Sequence, residues 1–239
     1  MDTEIEILSG GQNNLSVFRK GNVVYRNKSD NTNFSKAVLE HLEFNDFKFS
    51  PKFLGVDNQD RVMLSYIAGK VPRGVEFTYR QLEQCIIILR EFHDINASSL
   101  LCRGAETICH NDFAPWNMIF RNGTPVGIID FDDAAPGSRI DDLSYFLWTF
   151  LDFGVSDVSD EILIKRIASL CKVYGLEDRK HLIERILEQQ SRILQFRKDL
   201  ASNSKNKDLR EFSTGAIKRI QSSMEWIKIN GDRINTNIL

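Results

Sequence analysis

The sequence predicts an α+β fold with a small β-rich N-terminal lobe and a larger, mainly helical C-terminal lobe. Short alternating or apolar runs, separated by turn residues, dominate the first 67 residues and are typical of strands. After Gly69 the apolar residues recur at helical spacing over long stretches. The 239 residues suffice for two lobes with a real core. We therefore expect an N-terminal lobe over residues 1–67 and a C-terminal lobe over residues 68–239.

The N-terminal lobe is predicted to be a small sheet with one helix. The run "EIEIL" alternates, and the turn-prone "SGGQNN" follows it. "LSVFR" and "VVYR" flank Gly21-Asn22, which predicts a hairpin. "NFSKAVLEHLEF" has apolar residues at helical spacing, and "PKFLGVD" and "RVMLSYIAG" indicate two further strands.

The C-terminal lobe is predicted to be helical apart from one buried strand. "TYRQLEQCIIILREFHDI" indicates an amphipathic helix, and "VGIID" indicates a short strand. Four further helices are expected over residues 142–153, 159–174, 178–200 and 208–228. The polar segment "ASNSKNKD" is expected to separate the last two helices.

Composition and charge exclude several classes of protein. The net charge of −2, with Lys and Arg spread along the chain, does not suggest a nucleic-acid partner. No run of 18 apolar residues predicts a membrane span, and the acidic N-terminus lacks the features of a signal peptide. The four cysteines form no CxxC pair, so we expect free thiols in a reducing cytoplasm.

Two polar stretches, "HNDFAPWN" at 110–117 and "DFDD" at 130–133, flank a predicted hairpin whose turn is Asn122-Gly123. The hairpin would bring Asp112 and Asn117 close to Asp130. Two carboxylates and an amide oxygen repel one another unless a cation lies among them, and they suit Mg²⁺. With a metal site, a further carboxylate as base and a phosphate cradle, the site would serve phosphoryl transfer. The alternative is a charged turn at the edge of a sheet.

"HNDFAPWN" followed by "GIIDFDDA" resembles the aminoglycoside phosphotransferase and choline kinase family, which is related in fold to protein kinases. In that family an H-x-D-x-x-x-x-N loop supplies the catalytic Asp and a metal-binding Asn, and a following I-D strand end supplies the second metal ligand. The resemblance implies a two-lobed, protein-kinase-like fold. It implies that Asp112 is the catalytic base, that Asn117 and Asp130 bind Mg²⁺, and that His110 braces the loop.

The resemblance also implies a nucleotide site, which requires a loop over the phosphates, a cation on the third strand and a hinge. Gly10 and Gly11 would let backbone N–H groups approach phosphate oxygens, although such a pair is also an ordinary turn. Arg26 stands where the family usually has Lys, and it can hold two phosphate oxygens. Backbone groups at Ser65 and Ile67 would face the adenine of ATP.

The acidic partner of Arg26 is where the sequence departs from the family pattern. The family places a Glu on the following helix, whereas the aligned position here is Lys36. Glu40 lies one turn further along. The sequence leaves open whether Arg26 pairs with Glu40 or with no acid.

The segment "PGSRIDDLSY" resembles the family's R-x-x-D-[LI] segment, which opens the next helix. The resemblance implies structural support from Arg139 and Asp142, with Asp142 holding the backbone of the catalytic loop. Alternatively, Asp142 is a carboxylate facing the positive end of its helix dipole. Both interpretations are compatible.

Acidic residues after the predicted metal ligand suggest the kind of acceptor. Asp132 and Asp133 add negative charge, which favours a cationic substrate such as an amino sugar or an amino alcohol. Trp116 and Phe131 could stack on a ring or an ammonium group. The alternatives are a solvated turn for the two acids and ordinary packing for the two aromatic rings.

Together these features predict a small-molecule kinase that uses ATP and Mg²⁺ to phosphorylate a hydroxyl group, with no membrane or nucleic-acid partner. The alternative is a kinase-like protein that binds a nucleotide or ligand without turnover, as the Arg26 and Lys36 departures suggest. A protein kinase is not expected, because D-F-G and A-P-E are missing.

Overall fold

The computed structural model describes residues 5–8, 17–74, 76–176 and 181–238. The chain divides into two compact units. The first comprises Met1–Val75 with Ile88–Arg139, and the second comprises Glu76–Ile87 with Ile140–Leu239. The predicted α+β class is confirmed, with a small sheet-rich N-terminal part and a mostly helical C-terminal part. The predicted lobe boundary between residues 67 and 68 stays a prediction.

The first unit begins with an antiparallel sheet. Among the described residues its strands are β1 (Ile5–Ile7), β2 (Phe18–Lys20), β3 (Val23–Arg26), β4 (Phe53–Val56) and β5 (Val62–Ser65). The spatial order is β1-β2-β3-β5-β4, so β3 and β5 are neighbours at the centre. The predicted hairpin is confirmed, since Lys20 pairs with Val23 across a turn in which Gly21 has a φ of 60°. Glycine adopts this left-handed conformation without steric cost.

Helix α1 (Thr32–Phe44) connects β3 to β4. Its predicted apolar stripe is confirmed in part: Val38, Leu39 and Leu42 are buried. Phe34 is only half-buried, and the small Ser35 is buried instead. The side of α1 that carries Ser35 faces the backbone of the segment that follows the predicted metal ligand.

Two short strand pairs complete the first unit. They comprise β6 (Thr107–Cys109), β7 (Met118–Arg121), β8 (Thr124–Ile128) and β9 (Ala135–Gly137). The predicted hairpin is the antiparallel pair β7–β8, and Asn122 and Gly123 both have positive φ at its turn. The β6–β9 pair is not predicted by the sequence. Each of its strands has three residues, which is too short to show a period.

Helix α2 (Tyr79–Asn96) is confirmed close to its predicted bounds, and its residues are divided between the two units. The second unit is otherwise formed by helices. They are α3 (Arg139–Leu151), α4 (Asp160–Tyr174), α5 (Leu182–Asn203) and α6 (Lys207–Ile238). The predicted break at 201–208 is wrong in extent, because α5 continues to Asn203 and α6 begins at Lys207.

Helix α6 also continues ten residues beyond its predicted end at 228. Trp226, Ile227, Asn230 and Ile234 lie at helical spacing and are buried. The Trp226 indole N–H donates to Asp160 at 2.7 Å, so tertiary packing extends the helix past its polar sequence. No helix in the described part of the chain is both long and apolar enough to cross a membrane.

Candidate active site

The segment "HNDFAPWN" connects β6 to β7, and its His110 is fully buried. His110 Nε2 lies 3.2 Å from the carbonyl oxygen of Ile129, and Nδ1 accepts the backbone N–H of Asp112 at 3.3 Å. One tautomer, protonated on Nε2, satisfies both contacts. The ring of Phe131 packs on the imidazole with centroids 4.8 Å apart. These contacts support the predicted bracing role of His110.

The carboxylate of Asp112 receives several hydrogen bonds from its own loop. The Trp116 indole N–H lies 3.2 Å from Oδ1 and 3.1 Å from Oδ2. Asn117 Nδ2 donates to Oδ2 at 2.7 Å and to the Asp112 backbone carbonyl at 3.0 Å. Donors directed at a carboxylate fix its orientation. Asp112 is therefore held in one orientation by Trp116 and Asn117.

Asn117 connects the loop that carries Asp112 to the segment that precedes Asp130. Its side chain is almost fully buried, and its backbone carbonyl accepts the N–H of Ile129 at 2.9 Å. Because His110 contacts the carbonyl of Ile129, both backbone polar groups of that residue are held by the segment 110–117. Asp130 follows directly, so the structure brings it next to the loop that carries Asp112, as predicted.

Asp130 lies outside the strand that was predicted to end at it. Strand β8 ends at Ile128, and Asp130 adopts a left-handed conformation with a φ of 69°. Asn111, beside the predicted base Asp112, has a φ of 61°. Positive φ is uncommon for residues with side chains, and two such residues on facing segments mark a constrained site.

The donor set of this site fits a hard divalent cation. Asn117 uses its amide nitrogen to bond Asp112, which turns the amide oxygen Oδ1 away from that carboxylate. Asp130 accepts a hydrogen bond on Oδ1 only. In the part of the chain that the structure describes, no residue donates a hydrogen bond to Asn117 Oδ1 or Asp130 Oδ2. Oxygen ligands of this kind, few in number, suit Mg²⁺.

Arg26 at the end of β3 forms two ion pairs, and neither is with helix α1. Its guanidinium lies 3.1 Å from Asp130 Oδ1 and also contacts Asp132 Oδ2. Lys36 instead pairs with Glu40 at 3.8 Å. The question that the sequence left open is therefore resolved: the acids that pair with Arg26 come from the segment after β8.

The Asp132 carboxyl group experiences two opposing effects. Burial raises its pKa above the ordinary value, while the guanidinium of Arg26 acts in the opposite direction. The nearby carboxylate of Asp130 also raises the pKa. The Asp132 carboxyl group thus has both the predicted phosphate-binding cation and the predicted metal ligand close to it.

The segment 131–134 is fixed by a set of side chains that sequence reasoning missed. Ser35 Oγ donates to the carbonyl of Phe131 at 2.8 Å, and Asn111 Nδ2 donates to that of Asp133 at 2.8 Å. Asn31 Nδ2 donates to the carbonyls of residues 132 and 134, at 2.7 and 2.9 Å. Four consecutive carbonyls thus accept hydrogen bonds from side chains. The sequence signal at Asn31 suggests a helix cap, but no such capping bond forms.

The two aromatic residues of the predicted acceptor side differ in environment. Trp116 is 49% exposed, so the alternative of ordinary packing is wrong for this ring. Phe131 is buried among His110 and Phe92, and packing is the correct interpretation there. Asp133 is exposed, whereas Asp132 is partly buried against Arg26. Trp116 and Asp133 are therefore the accessible members of the predicted substrate set.

In the predicted adenine-binding segment, Ser65 and Ile67 differ in the hydrogen bonding of their backbone groups. The Ser65 N–H donates to the carbonyl of Lys52 at 2.9 Å, so of its two backbone polar groups only the carbonyl could contact a base. No other residue in the described ranges bonds to the backbone of Ile67. Its side chain covers Gly127, where an added Cβ would lie 2.7 Å from Ile67 Cδ1. Gly10 and Gly11 lie outside the described residues.

Arg139 and Asp142 occupy the start of α3. Arg139 pairs with Asp94 at 2.5 Å, and its backbone N–H donates to Glu106 at 3.0 Å. These contacts connect Arg139 to the end of α2 and to the residue that precedes β6, which supports the predicted structural role of Arg139. Asp142 is fully buried in the first turn of α3, and its hold on the catalytic loop stays a prediction.

The antiparallel sheet with one helix, the polar loop between short strand pairs and the helical remainder define a protein-kinase-like fold. The spectinomycin phosphotransferase APH(9)-Ia, solved with ADP and spectinomycin, is similar with a TM-score of 0.64 and 12% identity over 93% of both chains. A choline/ethanolamine kinase family protein from Mesorhizobium loti is similar with a TM-score of 0.61 and 16% identity, over 98% of this chain and 92% of that one.

Comparisons of sequence show a likeness to phosphotransferases over part of the chain. The family model described as "APH: Phosphotransferase enzyme family" matches residues 97–179, which include the loop that carries Asp112. The trifolitoxin immunity protein of Rhizobium leguminosarum bv. trifolii is 29% identical over 178 residues, which cover 68% of this chain and 67% of that protein. The predicted resemblance to the aminoglycoside phosphotransferase and choline kinase family is confirmed.

Proposed function

We propose that the protein is an ATP-dependent phosphotransferase that moves the γ-phosphoryl group to a hydroxyl group of a small molecule. The main observation in support of this proposal is the arrangement of side chains around Asp112. A carboxylate held by Trp116 and Asn117 lies on a loop whose backbone bonds place Asp130 beside it. A likeness to phosphotransferases in both sequence and fold supports the same reaction class.

Asp112 is the group that would act on the acceptor. The acceptor hydroxyl would approach its carboxylate, which orients the nucleophile and accepts its proton as the phosphoryl group transfers. The hydrogen bonds from Trp116 and Asn117 hold the carboxylate in one orientation before the acceptor arrives. Catalysis of this kind depends on positioning and on electrostatic stabilisation rather than on covalent chemistry.

Asn117 and Asp130 would hold Mg²⁺ through the two oxygens that carry no hydrogen bond from described residues. When bound, the metal neutralises charge on the transferring phosphoryl group. Arg26 would contact the phosphates, and its planar guanidinium can do so while retaining an acid on its other edge. The ADP present in the spectinomycin phosphotransferase structure supports a nucleotide as the second substrate.

The acceptor is proposed to be a small, cationic, hydroxyl-bearing molecule. Trp116 offers an exposed aromatic face next to Asp112, and Asp133 adds an exposed carboxylate. Such a pair suits an ammonium group. The named ligand of one similar structure is spectinomycin, and another belongs to a choline/ethanolamine kinase family.

A coupled assay of ADP release tests this proposal directly. Purified protein with Mg²⁺ and either ATP or GTP would be screened against aminoglycosides, amino alcohols, amino acids and sugars. Trifolitoxin would be included in the screen because one similar protein is a trifolitoxin immunity protein. We expect acceptor-dependent ADP release that disappears in the Asp112→Ala variant. Equal release by both proteins with every acceptor would contradict the proposal.

The second candidate is a kinase-like protein that binds a nucleotide or ligand without turnover. Its specific support is the ion pair between Arg26 and Asp130, since a cation already occupies one oxygen of the predicted metal ligand. The two candidates differ in a simple comparison. Binding of ADP in calorimetry without phosphorylation of any acceptor, and without hydrolysis of ATP, would favour this second function.

A further inference from the structure

The cation of the proposed nucleotide site is held by acids from an unexpected part of the chain. The Arg26 side chain is only 16% exposed, and its partners Asp130 and Asp132 lie 104 and 106 positions further along. Glu40 on α1, the acid that the sequence offered, is 54% exposed and pairs with Lys36. Lys36 also lies 5.3 Å from the ring centroid of Phe53. Helix α1 therefore supplies no carboxylate to Arg26.

We propose that Asp132 is the positioning residue for Arg26, so that its carboxylate serves the phosphates of the nucleotide and not the acceptor. The inference rests on the proposed function, because it assigns a task within the same nucleotide site. Asp132 would act through Arg26 and would not itself touch the reacting atoms.

The geometry separates the tasks of the two acids. Asp130 is 41% exposed and is the predicted ligand of the metal, so its contact with Arg26 competes with metal binding. Asp132 is 28% exposed, and nothing in the proposed reaction requires its oxygens elsewhere. Asp132 can therefore keep the guanidinium in place after Asp130 has turned to the metal.

The backbone of Asp132 is anchored, which gives its carboxylate a fixed origin. Asn31 Nδ2 donates to the Asp132 carbonyl at 2.7 Å, from the residue that precedes α1. A side chain that starts from a fixed peptide and ends on a partly buried guanidinium samples few alternatives. This arrangement also gives a reason for Arg at this position. A guanidinium presents several N–H groups in one plane, so it can bond an acid and a phosphate together, whereas Lys is a point charge.

Calorimetric titration of Mg·ADP tests the assignment, with Asp132→Asn compared with the matched control Glu40→Gln. The Asn variant keeps the backbone carbonyl that Asn31 contacts, so it removes only the charge. We expect Asp132→Asn to raise the Kd for Mg·ADP by about tenfold, on the order of one charge-assisted hydrogen bond. Asp132→Asn should also raise the Mg²⁺ concentration at which ADP binding is half-maximal. Without the Asp132 charge, Arg26 would remain paired with Asp130, and this pair competes with metal binding. Glu40→Gln should leave both quantities unchanged.

A double-mutant cycle distinguishes positioning from a general structural effect. In an Arg26→Gln background, Asp132→Asn should have no further effect on the Kd. Asp132→Glu retains the charge and should bind close to the wild-type value, even where Asp132→Asn lowers the melting temperature. An unchanged Kd in Asp132→Asn, or an equal effect in both backgrounds, would overturn the inference. A higher Kd for Mg·ADP in Glu40→Gln would mean that an acid on α1 positions Arg26, and it would also overturn the inference. Wild-type protein that binds no nucleotide at all would instead overturn the proposed function, and this assignment with it.

Discussion

Arg26 and Asp132 form an ion pair between the end of a sheet strand and a segment 106 positions further along the chain. This pair joins the predicted phosphate-binding strand to the segment that follows the predicted metal ligand. Helix α1 and the residue before it take part through neutral side chains, since Ser35 and Asn31 bond backbone carbonyls in the same segment. The proposed nucleotide site thus depends on contacts, within the first unit, between segments that lie far apart in the chain.

Replacement of Asp112 by Ala should remove turnover and leave nucleotide binding intact. The proton acceptor would be lost, and general-base contributions are typically on the order of 10²–10⁴-fold in rate. Acceptor phosphorylation and ADP calorimetry measure the two properties separately. The exposed Asp208→Ala in α6 is a matched control that should keep wild-type turnover. An Asp112→Ala variant with wild-type turnover would show that the base lies elsewhere.

Removal of the metal, or of its predicted ligands, should weaken nucleotide binding. Asn117→Ala and Asp130→Asn each delete an oxygen that suits Mg²⁺, and chelation with EDTA deletes the ion itself. We expect the Kd for ADP to become independent of Mg²⁺ in both variants. Titrations with and without Mg²⁺ give the measurement. Retained Mg²⁺ dependence in both variants would mean that other residues bind the metal.

Substitutions of Trp116 should separate its two contacts with the site. Trp116→Phe keeps an exposed ring and loses the N–H that bonds the Asp112 carboxylate. We expect a several-fold lower kcat, because the carboxylate loses a donor that fixes its orientation. Trp116→Ala should in addition raise the KM of a cationic acceptor. Identical kinetics for the two variants would exclude a role for the ring.

Gly69 should tolerate no side chain. Its φ is 159°, and an added Cβ would lie 2.6 Å from the carbonyl oxygen of Phe120. The neighbouring Lys70 exchanges two backbone hydrogen bonds with Phe120, so neither segment can withdraw. We expect Gly69→Ala to reduce the free energy of unfolding by about 2 kcal/mol or more. Chemical denaturation measures the loss. Gly74→Ala, whose added Cβ would meet nothing within 4 Å, should lose only the cost of its positive φ.

Asn31→Ala should loosen the segment after Asp130. Two hydrogen bonds to carbonyls would be lost, each contributing roughly 1 kcal/mol. We expect a lower melting temperature and faster amide exchange in residues 131–134. Asn45→Ala at the other end of α1 is a suitable comparison, because its side chain bonds only His41. Exchange rates in this segment that match the wild type would mean that Ser35 and Asn111 suffice.

The sequence predicted the elements, and the segments that bring Asp112, Asn117 and Asp130 together, better than it predicted the contacts of Arg26. The loop with Asp112 and Asn117, and the hairpin that leads to Asp130, follow from local periodicity and turn signals. The contacts of Arg26 could not follow, because they join segments more than 100 positions apart and depend on the reach of one rotamer. The length of α6 was missed for a similar reason, since buried contacts along it outweigh its polar composition.

The four anchored carbonyls of residues 131–134 have a consequence for how this chain can diverge. Every anchor binds the main chain, and the side chain of Asp133 is exposed, so the backbone path at this position does not depend on which side chain residue 133 carries. Residue 133 could change identity without disturbing the path that leads to the metal ligand. Residue 132 could do so only together with residue 26. Acceptor preference could therefore evolve at position 133 independently of the catalytic geometry, whereas nucleotide affinity would evolve through correlated changes at positions 26 and 132.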